Sequence, residues 1–337
     1  MNTKIEKIRG EQILDSRGNP TIEAVVTVNS KDFRASIPSG ASTGINEAVE
    51  LRDKEGGVSN AIENINKIIS PELEGKLVTN QQELDYLMIG LDGTRNKSKL
   101  GGNALCAVSL AICRAGAAVS GVELYEYVQN IFGTENISIP QPSFNIINGG
   151  CHADNDLDIQ EFMVLPLQGN FSKKLDAVKE IYKNLEKIIS KRFNKKIGLG
   201  DEGGFAVPVS QAREALKLIV QASQDKKIGI VLDAAASQFF KEGDYKIENN
   251  LLSKKELLHY YDELRNEFPI IAIEDPYEEN DWEGFQMITK TLGDKISIIG
   301  DDLLVTNPSK IRKAKSEEAV NAVLLKINQV GTVSEAL

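Results

Sequence analysis

The sequence predicts a two-part α/β protein, an α+β module followed by a barrel of parallel strands that alternate with helices. Four short apolar runs carry most of that prediction, each ending in a charged side chain: Ile230-Val-Leu-Asp233, Ile271-Ala-Ile-Glu274, Ile298-Ile-Gly-Asp301 and Val323-Leu-Leu-Lys326. Their ends lie 41, 27 and 25 residues apart, and the last two intervals match one strand plus one helix of such a barrel. Helical periodicity fills the gaps, whereas the first third of the chain groups its strands ahead of its helices.

Asp15-Ser-Arg-Gly-Asn-Pro20 is a dense turn signal before the β-branched segment Thr21 to Val28, so an antiparallel meander begins there. Ile37-Pro-Ser-Gly-Ala-Ser-Thr-Gly44 has too many small residues for a regular element and reads as a hinged lid. It lacks the lysine of a P-loop and does not join a strand directly to a helix. Ala61 to Ile69, Gln81 to Ile89 and Asn103 to Val119 read as helices, completing a domain over residues 1–137. In Ser138-Ile-Pro-Gln-Pro142 two prolines in three residues hold the chain extended, which makes it the linker.

Residues 138–337 form the second domain. Lys173 to Phe193 sets Leu175, Val178, Ile181, Tyr182, Leu185, Ile188 and Ile189 on one helical face. Helices over Gln211 to Ala222 and Lys254 to Phe268 alternate with the charged-ended strands, and Asn307-Pro308 opens another helix with a capping side chain and a proline at its first position. The run from Ala322 to Leu325 is expected to be buried on both faces, as strands of a parallel sheet are.

A chain of 337 residues, 41% hydrophobic and 26% charged, is long enough for two cores. A net charge of −10 argues against nucleic acid or a membrane surface as partner, because an acidic field repels both. The apolar stretch from Ala104 to Val119 carries Arg114 and is shorter than the roughly 20 residues of a membrane span, so a buried core helix is expected. Cys106, Cys113 and Cys151 are odd in number, and Met1-Asn-Thr-Lys-Ile-Glu6 has no apolar signal core, which points to the cytoplasm.

Ligands of parallel sheets sit beyond the carboxyl ends of the strands, so Asp233, Glu274, Asp301 and Lys326 should converge on one rim. One acid after a strand is commonly a helix cap, but three in successive units suit magnesium, which prefers oxygen ligands. Structural zinc is disfavoured by the absence of His-x-x-His or Cys-x-x-Cys spacing. A buried Lys326 must pair with an acid or lose its proton, and as a base near neutrality its pKa would fall from about 10.4 to about 7 or 8. Gly200-Asp-Glu-Gly-Gly204 places two acids in a turn that backbone can bring close to a ligand. Asn148-Gly-Gly-Cys-His152 with Ile159-Gln-Glu161 forms a third cluster holding one of two histidines; His259 reads as packing or surface.

These segments together resemble the enolase family. The similarity runs through Asp15-Ser-Arg-Gly-Asn-Pro-Thr21, Ser39-Gly-Ala-Ser-Thr-Gly44, Asn145-Ile-Ile-Asn-Gly-Gly150 with His152, Gln160-Glu-Phe162, Gly200-Asp-Glu-Gly-Gly204, Ile273-Glu-Asp-Pro276, Asp301-Asp302 and Leu325-Lys-Ile-Asn-Gln329. The resemblance implies an N-terminal α+β domain and an enolase-type TIM barrel that opens with an antiparallel hairpin, accounting for the early runs Ser143 to Ile147 and Phe162 to Leu167. It implies reversible dehydration of 2-phospho-D-glycerate to phosphoenolpyruvate with two magnesium ions, in a homodimer. By the same resemblance Asp233, Glu274 and Asp301 hold one metal, Ser42 joins a second to the substrate phosphate, and Lys326 takes the C2 proton. Glu202 is then the acid assisting hydroxide departure with Glu161, and His152 and Gln160 line the substrate pocket beside Glu161 and Lys326.

The family pattern continues beyond Leu337 with two more barrel units. About six of eight strands are therefore expected, and the chain alone is expected to turn over little substrate. Cys151, Gln238 where the family often has glutamate, and the short Glu55-Gly-Gly57 link are smaller departures. A non-catalytic scaffold and an acid-sugar dehydratase are the competing readings. Retention of Lys326, Glu202 and Glu161 together disfavours the first, and the lid serine with Gly200 to Gly204 disfavours the second.

Overall fold

Strand β1 (Lys7–Leu14) pairs antiparallel with β2 (Pro20–Val28), which pairs antiparallel with β3 (Lys31–Ser36) in a computed structural model that describes residues 3–38, 40, 44, 46–134, 136–194 and 196–337. Asn29 and Ser30 turn the second hairpin with φ of 52° and 58°, the pair of left-handed residues that a two-residue turn requires. Ile22, Ala24, Val26 and Val28 alternate inward, and that face is covered by helices.

The helices are α1 (Ser59–Asn64), α2 (Ser70–Leu73), α3 (Gln81–Asp92), α4 (Gly102–Ser120) and α5 (Leu124–Phe132). The single helix expected over Ala61 to Ile69 is interrupted by a π-helical turn at Ile65–Ile69. Pro71 follows and has no N–H to offer the carbonyl four residues back, which favours a wider turn at this point. Among the described residues α4 alone is long and apolar enough to cross a membrane, and it is mostly buried as the core helix of its unit. Gly116 of α4 lies against the Tyr127 ring of α5, and a Cβ there would stand 2.4 Å from the phenol oxygen.

The second unit centres on six strands: β4 (Phe144–Asn148), β5 (Glu161–Pro166), β6 (Ile228–Asp233), β10 (Ile270–Glu274), β11 (Ser297–Gly300) and β12 (Ala322–Val323). Their spatial order is β12-β11-β10-β6-β5-β4, with β5 antiparallel to both neighbours and every other pair parallel. This is the expected hairpin-then-βα arrangement with six strands, and the sheet does not close on itself among the described residues. Helices α6 (Phe171–Phe193), α7 (Ala212–Ser223), α8 (Lys254–Glu267), α9 (Trp282–Leu292) and α10 (Pro308–Ser316) join the strands. A small antiparallel ribbon of β7 (Phe240–Lys241), β8 (Asp244–Ile247) and β9 (Asn250–Leu252) intervenes after β6. Ser253 and Glu256 form a reciprocal cap at the start of α8, and Asn307 accepts the Ser309 N–H at 2.9 Å.

All six residues of β6 are buried, as a central parallel strand requires. The matching expectation for Ala322 to Leu325 is overturned: Val323 is 36% and Leu325 62% exposed, and Lys326 is exposed too. The cause is that the strand is short: β12 stops at Val323 at the edge of the sheet, and Leu325 and Lys326 lie past it, just before the helix that begins at Ile327.

By its contacts the chain divides into a unit of 1–137, 305–310 and 325–337, and a unit of 138–304 and 311–324. The last segment carries α11 (Ile327–Val330) and α12 (Val333–Ala336). Within its unit it is held by Ser334, whose N–H and hydroxyl both donate to buried Asp85, and by a 2.7 Å ion pair between Lys97 and Glu335.

Candidate active site

Strand register builds the rim of the six-stranded sheet. Glu161, the first residue of β5, is the Cα partner of Asp233, the last of β6, and Asp233 is the partner of Glu274, the last of β10. Glu274 in turn faces Ile299 of β11, so Asp301 follows two residues beyond that line. Asp233, Glu274 and Asp301 are each at most 7% exposed.

Asp233 is tied at both oxygens. Oδ1 accepts the Ala235 N–H at 2.9 Å and Oδ2 accepts the Gln160 side-chain amide at 2.9 Å. Burial first and the Glu161 charge second push its pKa up to about 8, against the lowering effect of those two donors. Gln160, expected in the substrate pocket, is itself buried and committed to this carboxylate.

Beside it stands a second group. One ligand atom each from His152, Glu161 and Glu202 lies within 4.8 Å of the others. His152 Nδ1 is 3.4 Å from Glu161 and 4.0 Å from Glu202, ion-pair distances rather than well-formed hydrogen bonds. Glu161 holds the imidazole above its usual value, and burial with the Glu161 charge raises Glu202. Both shifts favour the protonated form, which is the direction a proton donor needs.

Local backbone explains how Glu202 reaches this place. The Gly204 N–H donates to Asn148 Oδ1 at 2.9 Å and the Asp201 N–H to the His152 carbonyl at 3.0 Å. A Cβ at Gly204 would lie 2.5 Å from Asn148 Oδ1, and one at Gly200 2.5 Å from the His152 oxygen, so the turn closes only with glycine. Asn145 on β4 donates to Glu202 at 3.1 Å.

Sequence reasoning missed Asp275. It is buried in the left-handed region at φ 38°, and its two oxygens accept the N–H groups of Asp301 at 3.0 Å and Asp302 at 2.7 Å. Carboxylate atoms of Asp275, Asp301 and Asp302 fall within 4.8 Å of one another, while Asp233 and Glu274 stand in neither close group. Burial, then Asp302, Asp301 and Asp233, raises Asp275 well above the usual range. Its available signal was the Glu274-Asp-Pro276 run at a strand end.

These clusters could hold a metal ion. The test is electrostatic: Asp275, Asp301 and Asp302 crowd their carboxylates together with Asp233 near enough to add to the repulsion, a divalent cation relieves it, and the oxygen-only donors of this cluster suit magnesium. The residues fit. Lys326 precedes α11, and its backbone N–H donates to Thr306 Oγ1 at 2.8 Å within the first unit. Ser42 lies outside the described residues.

Both parts of the chain match family models: the enolase N-terminal domain over residues 5–128 and the enolase C-terminal TIM barrel domain over residues 136–337. Relatives named enolase include those of Thermococcus gammatolerans, 47% identical over 99% of this chain and 80% of the relative, and Methanocaldococcus jannaschii, 47% identical over 99% and 81%. An enolase B of Dictyostelium discoideum is also 47% identical, over 99% of this chain and 81% of its own length. Since two domain models in the expected order and relatives nearly half identical agree with the rim, the chain belongs to the enolase family.

Proposed function

We propose that the site belongs to phosphopyruvate hydratase chemistry, a carbon–oxygen lyase reaction that converts 2-phospho-D-glycerate to phosphoenolpyruvate and back, as family membership implies, and that the chain by itself turns over little substrate. The observation that carries the reading is the pairing of the His152, Glu161 and Glu202 cluster with a buried carboxylate rim on the neighbouring strand.

Lys326 is the base that removes the C2 proton. Removing it beside a carboxylate doubles that group's charge, and a bound cation supplies the fixed positive charge that opposes it. Asp233, Glu274 and Asp301 would hold one magnesium and Ser42 would contribute to a second, and the two ions would supply positive charge to the substrate's carboxylate and phosphate. Glu202 delivers its proton to the departing hydroxyl, with Glu161 adjusting its proton affinity. His152 and Gln160 line the substrate side of the pocket. The family reading extends to a homodimer in the cytoplasm, and sedimentation of the purified chain tests the first of these.

Metal linkage tests the site. Manganese should bind the chain more tightly when 2-phosphoglycerate is present, and Asp233→Asn and Glu274→Gln should each weaken binding by at least about tenfold. Manganese affinity unchanged in both variants would remove the assignment.

A further inference from the structure

A chain of amide hydrogen bonds links an exposed loop to the rim. The Cys151 backbone N–H donates to Gln238 Oε1 at 3.0 Å. Gln238 Nε2 donates to Gln160 Oε1 and lies 3.1 Å from Cys151 Sγ, and Cys151 Sγ lies 3.1 Å from the same Gln160 oxygen. Gln160 Nε2 then donates to Asp233.

The polarity of this chain is set at its first member, because a backbone N–H can only donate. Gln238 must therefore present Oε1 to Cys151 and Nε2 to Gln160 Oε1, which leaves Gln160 Nε2 for Asp233. Turning Gln160 over would aim its carbonyl at Asp233; turning Gln238 over would aim an NH₂ group at the Cys151 N–H. Gly150 makes the assembly possible, since a Cβ there would stand 2.9 Å from Gln238 Oε1 and 3.3 Å from Gln160.

We propose that Gln238 is a positioning residue for the metal rim: by donating to Gln160 Oε1 it holds the Gln160 amide so that Nε2 faces Asp233 and keeps that carboxylate oriented for a divalent cation. The inference rests on Asp233 being a cation ligand. Gln238 makes its hydrogen bonds to Gln160 and Cys151. It acts through Gln160, as partners behind a metal ligand do when they set its orientation and basicity.

The experiment is a double-mutant cycle read as manganese affinity of the substrate-free chain, by calorimetry or by loss of the free-ion spin-resonance signal. Wild type, Gln238→Met, Gln160→Met and the double variant are compared, with Asp233→Asn as the control for the site. Gln160→Met is expected to weaken binding about tenfold and Gln238→Met roughly three- to tenfold, while the double variant binds no more weakly than Gln160→Met alone. Gln238 is exposed, so the melting temperature of Gln238→Met should stay within about 3 °C of wild type. Gln238→Ala provides a second substitution should Met disturb the loop, with the same expected loss. Wild-type affinity in the Gln238 variants, or losses that multiply in the double variant, would overturn the inference. Wild-type affinity in Asp233→Asn would instead defeat the metal assignment beneath it.

Discussion

On the exposed face of β1–β3, Glu11, Glu23 and Asp32 stand against Arg9 and Arg34 at 2.7 to 3.1 Å, whereas on the rim of the six-stranded sheet Asp233 and Asp275 are buried and held by backbone N–H groups and one glutamine amide. The arginines keep Glu11 and Asp32 below the usual carboxylate range, chiefly through the Arg9 hydrogen bonds. Burial does the reverse to Asp233 and Asp275. The same residue type thus serves as a solvated charge ladder in one sheet and as a proton-retaining, cation-seeking group in the other. What separates them is whether neighbours arrive as guanidinium groups in water or as further carboxylates in the interior.

The contrast breaks most sharply at the base. Replacing Lys326 by alanine should bring the small dehydration rate of the unaltered chain down about 10²-fold or to background, followed as phosphoenolpyruvate absorbance, while leaving the ladder's pH behaviour untouched. A rate within a factor of two would place the base elsewhere.

Next in size is the response to metal. Magnesium at about 100 times its dissociation constant should add about 2.7 kcal/mol of stability, seen as a rise in melting temperature that chelation reverses. Asp233→Asn should abolish most of that rise, and charge-neutral changes in the ladder should leave it intact.

Acid and base titration of the metal-free chain should then separate the two sheets by sign. Asp233 has a folded pKa of about 8 against 3.8 unfolded, so the folded state holds the extra proton between those values and stability falls as pH rises from about 4 to about 8. Asp233→Asn should flatten that decline in denaturant titrations. Glu11 and Asp32 are lowered instead, so what they contribute is present above the unfolded carboxylate range and is lost as pH falls through their folded values.

The smallest effect belongs to the ladder itself. Arg34→Met should leave the melting temperature nearly unchanged, with any small loss vanishing in high salt, because its pairs are half-exposed. A large, salt-independent drop would mean that the outer face is covered in solution.

How much of this was legible in the chain depends on what each feature needs. Strands β6, β10 and β11 could be read because residues buried on both faces leave continuous apolar runs, and their terminal acids mark the rim. The exposure of Leu325 and Lys326 could not, since pairing ends at Val323 and where a strand stops pairing is a property of spatial order. Asp275 was hidden beside Glu274, because its role depends on a left-handed backbone and on N–H groups from the loop after another strand. The ribbon β7–β9 escaped notice through shortness, its strands being two to four residues long. The π-helical turn at Ile65–Ile69 leaves no periodic trace of its own, only Pro71 downstream.

Gly116 carries a consequence for how this chain can vary. Alanine would favour α4 by about 1 kcal/mol on helix preference alone, yet its methyl would collide with the Tyr127 ring and pull the phenol from the Thr79 carbonyl it meets at 3.1 Å. An improvement in one helix is thereby barred by the shape of its neighbour, and residues 116 and 127 can change only together: a smaller side chain at 127 is what would open 116 to mutation.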